Sequence, residues 1–210
     1  MASNVPSGYG LGSSGTLVAA VYDRYAFQKT DDYLQLKTLF GLMESHFHGS
    51  SSGIDPLQCY LGKPFKITPE GVQLLSDDFL KKNIHICLID TKIKSNTKPL
   101  VNHFKEQREN SDFLNHFQTE YQPCVKTCID TMISGDNELF FKSLKQLTQG
   151  QLQFLRPMIT DNTLGLFTSD YDFHFGVKIS GSGGGGYVLG FTDDVQKASD
   201  LLLDFEVIWL

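Results

Sequence analysis

Glu44 and Asp55 stand eleven residues apart, and both follow a glycine-rich segment, Pro6-Ser-Gly-Tyr-Gly-Leu-Gly-Ser-Ser-Gly15. Two carboxylates near such a loop suit phosphate chemistry. One can help hold Mg²⁺, which takes one or two carboxylates together with phosphate oxygens. The other can take the proton of an attacking hydroxyl. In the loop, Gly8, Gly10 and Gly12 alternate and run into Ser13 and Ser14, and an apolar helical pattern (Leu17, Val18, Ala20, Val21) starts at once. Glycines let a backbone approach an anion closely, and a helix start turns its amides and the positive end of its dipole toward the same anion. The segment has neither the lysine of a P-loop nor the GxGxxG spacing. Each feature also has a plain structural reading: a tight turn with Ser13 or Ser14 as N-cap, Glu44 as a solvated helix residue, and Asp55 as an N-cap before Pro56.

A second glycine segment lies near the other end, in Lys178-Ile-Ser-Gly-Ser-Gly-Gly-Gly-Gly186. Four consecutive glycines are costly in backbone entropy, so close approach to a ligand or another backbone explains them better than a flexible hairpin connection. His48 reads as a hydrogen-bonding structural residue of a turn rather than a ligand or base. Cys59, Cys87, Cys124 and Cys128 form no CxxC pair and complete no metal site, so they read as ordinary buried or half-buried thiols.

The elements that must position these residues follow from periodicity. Residues 14–27 form a helix, and Asp31 and Asp32 open a second whose apolar stripe is Leu36, Leu39, Phe40, Met43 and Phe47. Strand-like runs follow around 63–74, then Ile84–Ile89. Helices are expected at 97–109, 112–133 and 136–155, with breaks near Asn110 and at Gly135. Two strands (Phe175–Ile179 and Tyr187–Phe191), a short helix (193–202) and a last strand (Phe205–Trp209) close an α+β pattern, a helix-backed antiparallel sheet. A boundary is expected in the polar stretch 75–83, giving domains 1–78 and 79–210.

The 210 residues carry 18 basic and 24 acidic side chains, a net charge of −6, which argues against a broad nucleic-acid surface. No apolar run is long enough to cross a bilayer, and the first residues do not read as a signal peptide, so no membrane partner is expected and the location expected is cytoplasmic.

Taken in order, the two glycine segments and the Glu44…Asp55 pair resemble the GHMP kinases, from near residue 4 to the C-terminus. Within that family the resemblance is strongest to the mevalonate kinases, through Glu44…His48-Gly-Ser-Ser-Ser-Gly-Ile-Asp55 and through Leu88-Ile-Asp-Thr91…Ser95-Asn-Thr-Lys98. The resemblance implies a two-domain fold: an incomplete ribosomal-protein-S5-like N-terminal domain and a ferredoxin-like C-terminal domain. It implies ATP and Mg²⁺ as cofactors and a small alcohol, mevalonate first, as substrate. The backbone of Gly8, Gly10, Leu11, Gly12, Ser13 and Ser14 would hold the ATP phosphates. Ser14 and Glu44 would bind the metal, and Asp55 would be the catalytic base. Thr97, Ser180, Gly181, Ser182, Gly183 and Gly184 would form the loop at substrate and phosphate. A sugar or phosphomevalonate kinase, or a non-catalytic chain with residual nucleotide binding, are the alternatives. Gly12 speaks against the related decarboxylase, which has alanine there. Lys92 stands where relatives often have glycine, and Gly15 where they often have alanine. Relatives also carry strands and a lysine before the first glycine loop. Their absence here predicts an open sheet edge and association, as a homodimer or otherwise, through the N-terminal domain.

Overall fold

A glycine starts each of two helices in the N-terminal unit, because both chain entries need a left-handed turn. The structure, a computed structural model, describes residues 7–76 and 83–210. It divides into two compact units, Met1–Ser7 with Leu11–Asp78 and Gly8–Gly10 with Phe79–Leu210. The expected boundary between residues 78 and 79 lies outside the described residues.

In the first unit, α1 (Ser13–Tyr25) is preceded by Gly12 at φ 67°, with no side-chain cap. Helix α2 (Tyr33–His48) is capped by Asp32, whose carboxylate accepts from the Leu34 and Gln35 amides at 2.9 and 3.0 Å. It ends at Gly49 in the left-handed region. Helix α3 (Ile54–Leu61) then starts from Gly53. The three helices close on Val18, Tyr22, Leu36, Phe40 and Leu57, and the rings of Tyr22, Phe40 and Tyr60 meet edge to face. Leu39 of the expected stripe is 38% exposed, because Leu36 and Phe40 fill the narrow face that meets α1 and α3. The side chains of Phe47 and His48 lie outside the described residues. Strands β1 (Phe65–Thr68) and β2 (Gly71–Leu74) form an antiparallel hairpin.

The second unit holds a four-stranded antiparallel sheet of β3 (His85–Asp90), β4 (Phe175–Ile179), β5 (Tyr187–Thr192) and β6 (Val207–Trp209). Their order across the sheet is β4-β5-β3-β6. Between β3 and β4 run α4 (Thr97–Gln107), α5 (Ser111–His116), α6 (Gln122–Ser134), α7 (Asn137–Phe154) and the short α8 (Leu164–Thr168). Helix α9 (Val195–Leu201) joins β5 to β6. This is the βαββαβ order of a ferredoxin-like sheet. Alternation along the strands sends Cys87, Ile89, Val177, Ile179 and Val188 into one core with Leu166, Ala198 and Leu202. Phe191 on the opposite face meets Phe140, Phe141, Leu144 and Leu147 of α7.

Helix α7 also seals the edge of the sheet. Thr148 Oγ1 donates to the Val177 carbonyl at 2.6 Å, and Gln151 Oε1 accepts from the Ile179 amide at 2.9 Å. Edge strands with unpaired backbone groups invite pairing with other chains, and these two side chains take the place of such a partner.

One expected helix divides. Residues 112–133 contain a π-turn over Phe117–Tyr121, where the Gln122 amide reaches back five residues to the Phe117 carbonyl. Pro123 has no amide to donate and its ring crowds the preceding turn, so the helix widens before it. The widened turn sets Phe117 against Phe113, Tyr121 and Phe154.

Lys92 follows β3 at φ 57°, a conformation that is disfavoured in a side-chain-bearing residue. Its amide donates to Asp90 Oδ1 at 2.7 Å, and its ammonium pairs with Asp90 and Glu206. Those three interactions offset the strain that a glycine would avoid.

Candidate functional site

The expected residues fall into two clusters, one in each unit, with the covalent chain passing from the second unit to the first at Gly10–Leu11. In the first cluster, the first turn of α1 meets the C-terminal turns of α2 and the start of α3. Ser14 Oγ donates to Glu44 Oε1 at 2.5 Å, and Ser51 Oγ donates to Glu44 Oε2 at 2.5 Å. Ser51 in turn accepts from the Gly53 amide at 3.0 Å, so the small-residue turn after α2 is tied back onto Glu44. Ser14 is therefore a partner of Glu44 rather than an N-cap, and no side chain caps α1. The amides of the first helical turn have no partner within the helix and stay available to an anion. Ser13 makes no side-chain hydrogen bond among the described residues.

Glu44 is 7% exposed, and among the described residues no cation pairs with it. A buried carboxylate that receives only two hydroxyls is under-compensated. Hard oxygen donors around an uncompensated negative charge fit Mg²⁺, whose remaining positions water and phosphate oxygens usually fill. Among the described residues no group of three or more His, Cys, Asp or Glu assembles a metal site of its own.

Asp55 is the second residue of α3, not its cap; Gly53 holds that position. A β-carbon on Gly12 would lie 3.4–3.6 Å from Asp55 Cβ, Cγ and Oδ2, so the carboxyl sits over the left-handed turn that opens α1. Partial burial raises the Asp55 carboxyl above its ordinary range, and the charge of Glu44 adds to the rise. The residue still keeps an exposed side, and solvent there limits the size of the effect.

Gly15 explains how α1 comes so near. A β-carbon there would stand 2.8 Å from the Asp55 carbonyl carbon and the Pro56 nitrogen. The glycine thus sets the distance between α1 and the Asp55 turn, a role with no sign in local helix propensity.

In the second cluster, the segment 180–186 is pinned rather than free. Gly183 donates to the Ser180 carbonyl, Gly184 to Met158 and Gly186 to Ile93, and the Thr91 amide donates to Gly186. Ser180 Oγ donates to the Gly10 carbonyl at 3.1 Å, and a β-carbon on Gly181 would come within 3.0 Å of Gly10 Cα. Thr97 at the start of α4 meets Ser182 at 3.0 Å, and Ser95 Oγ donates to the Gly183 carbonyl at 2.5 Å. The close approach expected for these glycines is to backbone at Gly183, Gly185 and Gly186 and to the Leu100 side chain at Gly184. Leu11, where the chain leaves this cluster, is half-buried.

Two residues escaped sequence reasoning. Ser51 sits in the middle of a run of three serines, and nothing marks it except its place seven residues after Glu44. Ser95 is a loop serine whose partner is 88 residues away. The cysteines are all free. Burial pushes the Cys87 thiol up to about 11, as expected of an inert core thiol, whereas Cys59 is exposed on α3 rather than buried or half-buried.

Residues 1–63 match the model of the GHMP kinases N terminal domain. No curated protein matches the chain significantly. Among solved structures, the Streptococcus pneumoniae phosphomevalonate kinase in complex with phosphomevalonate and AMPPNP is similar, at 17% identity and a TM-score of 0.71, over 97% of this chain and 70% of that one. The Lin0012 protein of Listeria innocua is similar at 19% identity and a TM-score of 0.74, over 98% of this chain and 67% of that one. The L. major mevalonate kinase in complex with R-mevalonate is similar at 17% identity and a TM-score of 0.66, over 95% of this chain and 62% of that one. Among the described residues no helix is long and apolar enough to cross a membrane. Residues 1–63 thus match the N-terminal domain model of the GHMP kinases, and the fold of the chain is the one these solved structures share.

Proposed function

We propose that the chain is an ATP- and Mg²⁺-dependent cytoplasmic kinase acting on a small alcohol, with mevalonate, converted to 5-phosphomevalonate, as the first substrate to test. The observation that carries the reading is the buried carboxylate of Glu44, without a cation partner among the described residues, held by Ser14 and Ser51 next to Asp55. In this reading the backbone of Gly8–Ser14 binds the nucleotide phosphates, with Ser13 assisting. Ser14 and Glu44 hold Mg²⁺, which when bound neutralises phosphate charge. Asp55 accepts the proton of the substrate hydroxyl as that oxygen bonds to the γ-phosphorus. The bond from the γ-phosphorus to the bridging oxygen breaks, and ADP leaves with its electron pair. A carboxylate whose proton affinity is raised by burial and by Glu44 is a better base than an ordinary aspartate. Thr97 and Ser180–Gly184 contact substrate or phosphate. The remainder of the catalysis is positioning and charge neutralisation.

Likeness to a phosphomevalonate kinase of equal identity supports a second acceptor, 5-phosphomevalonate. ADP release is measured with the chain, ATP and Mg²⁺, supplied in parallel with mevalonate, 5-phosphomevalonate or galactose. Turnover with mevalonate alone supports the first reading, and turnover with 5-phosphomevalonate alone replaces it with the second. ATP binding with no turnover on any acceptor points to the non-catalytic alternative, and an absence of ATP binding overturns the kinase reading. Sedimentation of the same sample tests the proposed self-association.

A further inference from the structure

Lys94, in the loop between β3 and α4, lies across the first glycine of the chain's opening loop. Its γ, δ and ε carbons come within 2.8, 3.4 and 2.9 Å of the place a Gly8 β-carbon would occupy. The next residue fixes this arrangement, because the Ser95 amide donates to the Gly8 carbonyl at 2.9 Å. Two other cations of this unit are engaged. Lys92 pairs with Asp90 and Glu206, and the Lys178 ammonium turns back onto the Ile179 carbonyl at 2.8 Å. Lys94 has no ion pair and no side-chain hydrogen bond among the described residues, although the chain carries more acids than bases. Its aliphatic stem is thus packed against Gly8, and its charge is unmatched among the described residues.

We propose that the Lys94 ammonium binds the phosphate oxygens of the nucleoside triphosphate. The inference rests on reading Gly8–Ser14 as a phosphate loop. A lysine acts on phosphate as a mobile point charge, and a stem laid over Gly8 restricts where that charge can go. It also gives Gly8 a reason to lack a side chain beyond its φ of +82°.

The test is equilibrium binding of MgATP, adenosine and 5-phosphomevalonate to the whole chain and to Lys94→Met and Lys94→Arg. Methionine keeps most of the stem and removes the charge. Lys94→Met should raise the Kd for MgATP about tenfold at about 50 mM KCl, and the ratio should shrink toward about threefold at about 300 mM, since an exposed charge is screened by salt. Adenosine should bind all variants alike, which also reports an intact fold. Lys94→Arg should stay within about threefold of the unsubstituted chain. Unchanged MgATP affinity in Lys94→Met overturns the proposal alone. So does a loss shared with adenosine or insensitive to salt, which marks a packing role, and so does a loss confined to 5-phosphomevalonate. If the unsubstituted chain binds no MgATP, the phosphate-loop reading falls and this inference falls with it.

Discussion

Replacing Gly15 by alanine adds one carbon at the most crowded point between α1 and α3. The new atom would stand 2.8 Å from two backbone atoms, the Asp55 carbonyl carbon and the Pro56 nitrogen, and 3.0 Å from Asp55 Cβ, where ordinary contact begins at 3.4 Å. Backbone cannot swing aside as a long side chain does, so α3 must retreat by about half an ångström. Overpacking of this kind costs roughly 1–3 kcal/mol. Against it stands the better helix propensity of alanine, worth up to about 1 kcal/mol in a helix interior and less in the first turn. The balance is a net loss of about 1 kcal/mol in urea unfolding at unchanged m-value. The retreat also draws the Asp55 carboxyl from its place over Gly12. A misplacement of 1 Å can cost about a hundredfold in rate, so half of that predicts about a tenfold drop in kcat with little change in ATP affinity. A Gly15→Ala chain that is more stable and equally active would refute the claim that this glycine sets the α1–α3 distance.

Asp55→Asn should lower kcat by about 10²–10⁴-fold while ATP affinity stays within about twofold. Because the folded Asp55 carboxyl lies above the ordinary aspartate value of 3.8 and must be ionised to act, kcat/KM should fall with acid at a higher pH than for an unperturbed aspartate. Glu44→Gln should move that limb down only in part, since burial, the larger cause, remains. His174 rests flat on Phe141 and bonds Asp193 at 2.7 Å, with Glu138 beyond. The hydrogen bond to Asp193, then its charge and that of Glu138, raise the imidazole above 6.5, against a lowering by desolvation. The stabilisation is therefore complete below about pH 6.5 and is lost as pH rises through the higher folded value. His174→Gln should cost about 0.5–1 kcal/mol at about pH 5.5 and less at about pH 8.5, read from thermal unfolding. Gln151→Leu should cost about 1–3 kcal/mol by leaving the buried Ile179 amide unpaired, and should increase concentration-dependent aggregation through the uncovered β4 edge. Equal stability in that variant would dismiss the sealing role of α7.

The strands of the second unit were readable because Phe175–Ile179 and Tyr187–Thr192 are buried on both faces and bounded by glycines, a signal confined to neighbouring residues. The Ser14, Glu44 and Asp55 cluster was readable for a different reason: residue types and order carried it, and the resemblance supplied the roles. Features set by distant packing were not. Leu39 shares the period of Leu36 and Phe40, and only the width of the α1–α3 face decides which of them is buried. The π-turn needed Pro123 and the aromatic cluster together, and either alone fits an unbroken helix. Gly15 looked like a small loss in helix propensity because its neighbours, Asp55 and Pro56, are about forty positions away along the chain. Ser51 and Lys94 act through the fold, and no local pattern announces either.

Gly8 and Gly10 take their places through Ser95 and Ser180, and the second of these partners lies 170 positions further along the chain. At a synthesis rate of about 5–20 residues per second, that separation is a wait of roughly 10–30 s on the ribosome. The helices α1, α2 and α3 can pack on one another long before then, since the buried residues of their shared core all lie between Val18 and Leu57. The glycine loop therefore leaves the ribosome well before the partner that fixes Gly10 has been made. A nascent chain halted before β4 can hold Gly8 through Ser95 but lacks the Ser180 hydroxyl that bonds the Gly10 carbonyl, so the complete set of loop contacts marks a chain translated at least as far as Ser180.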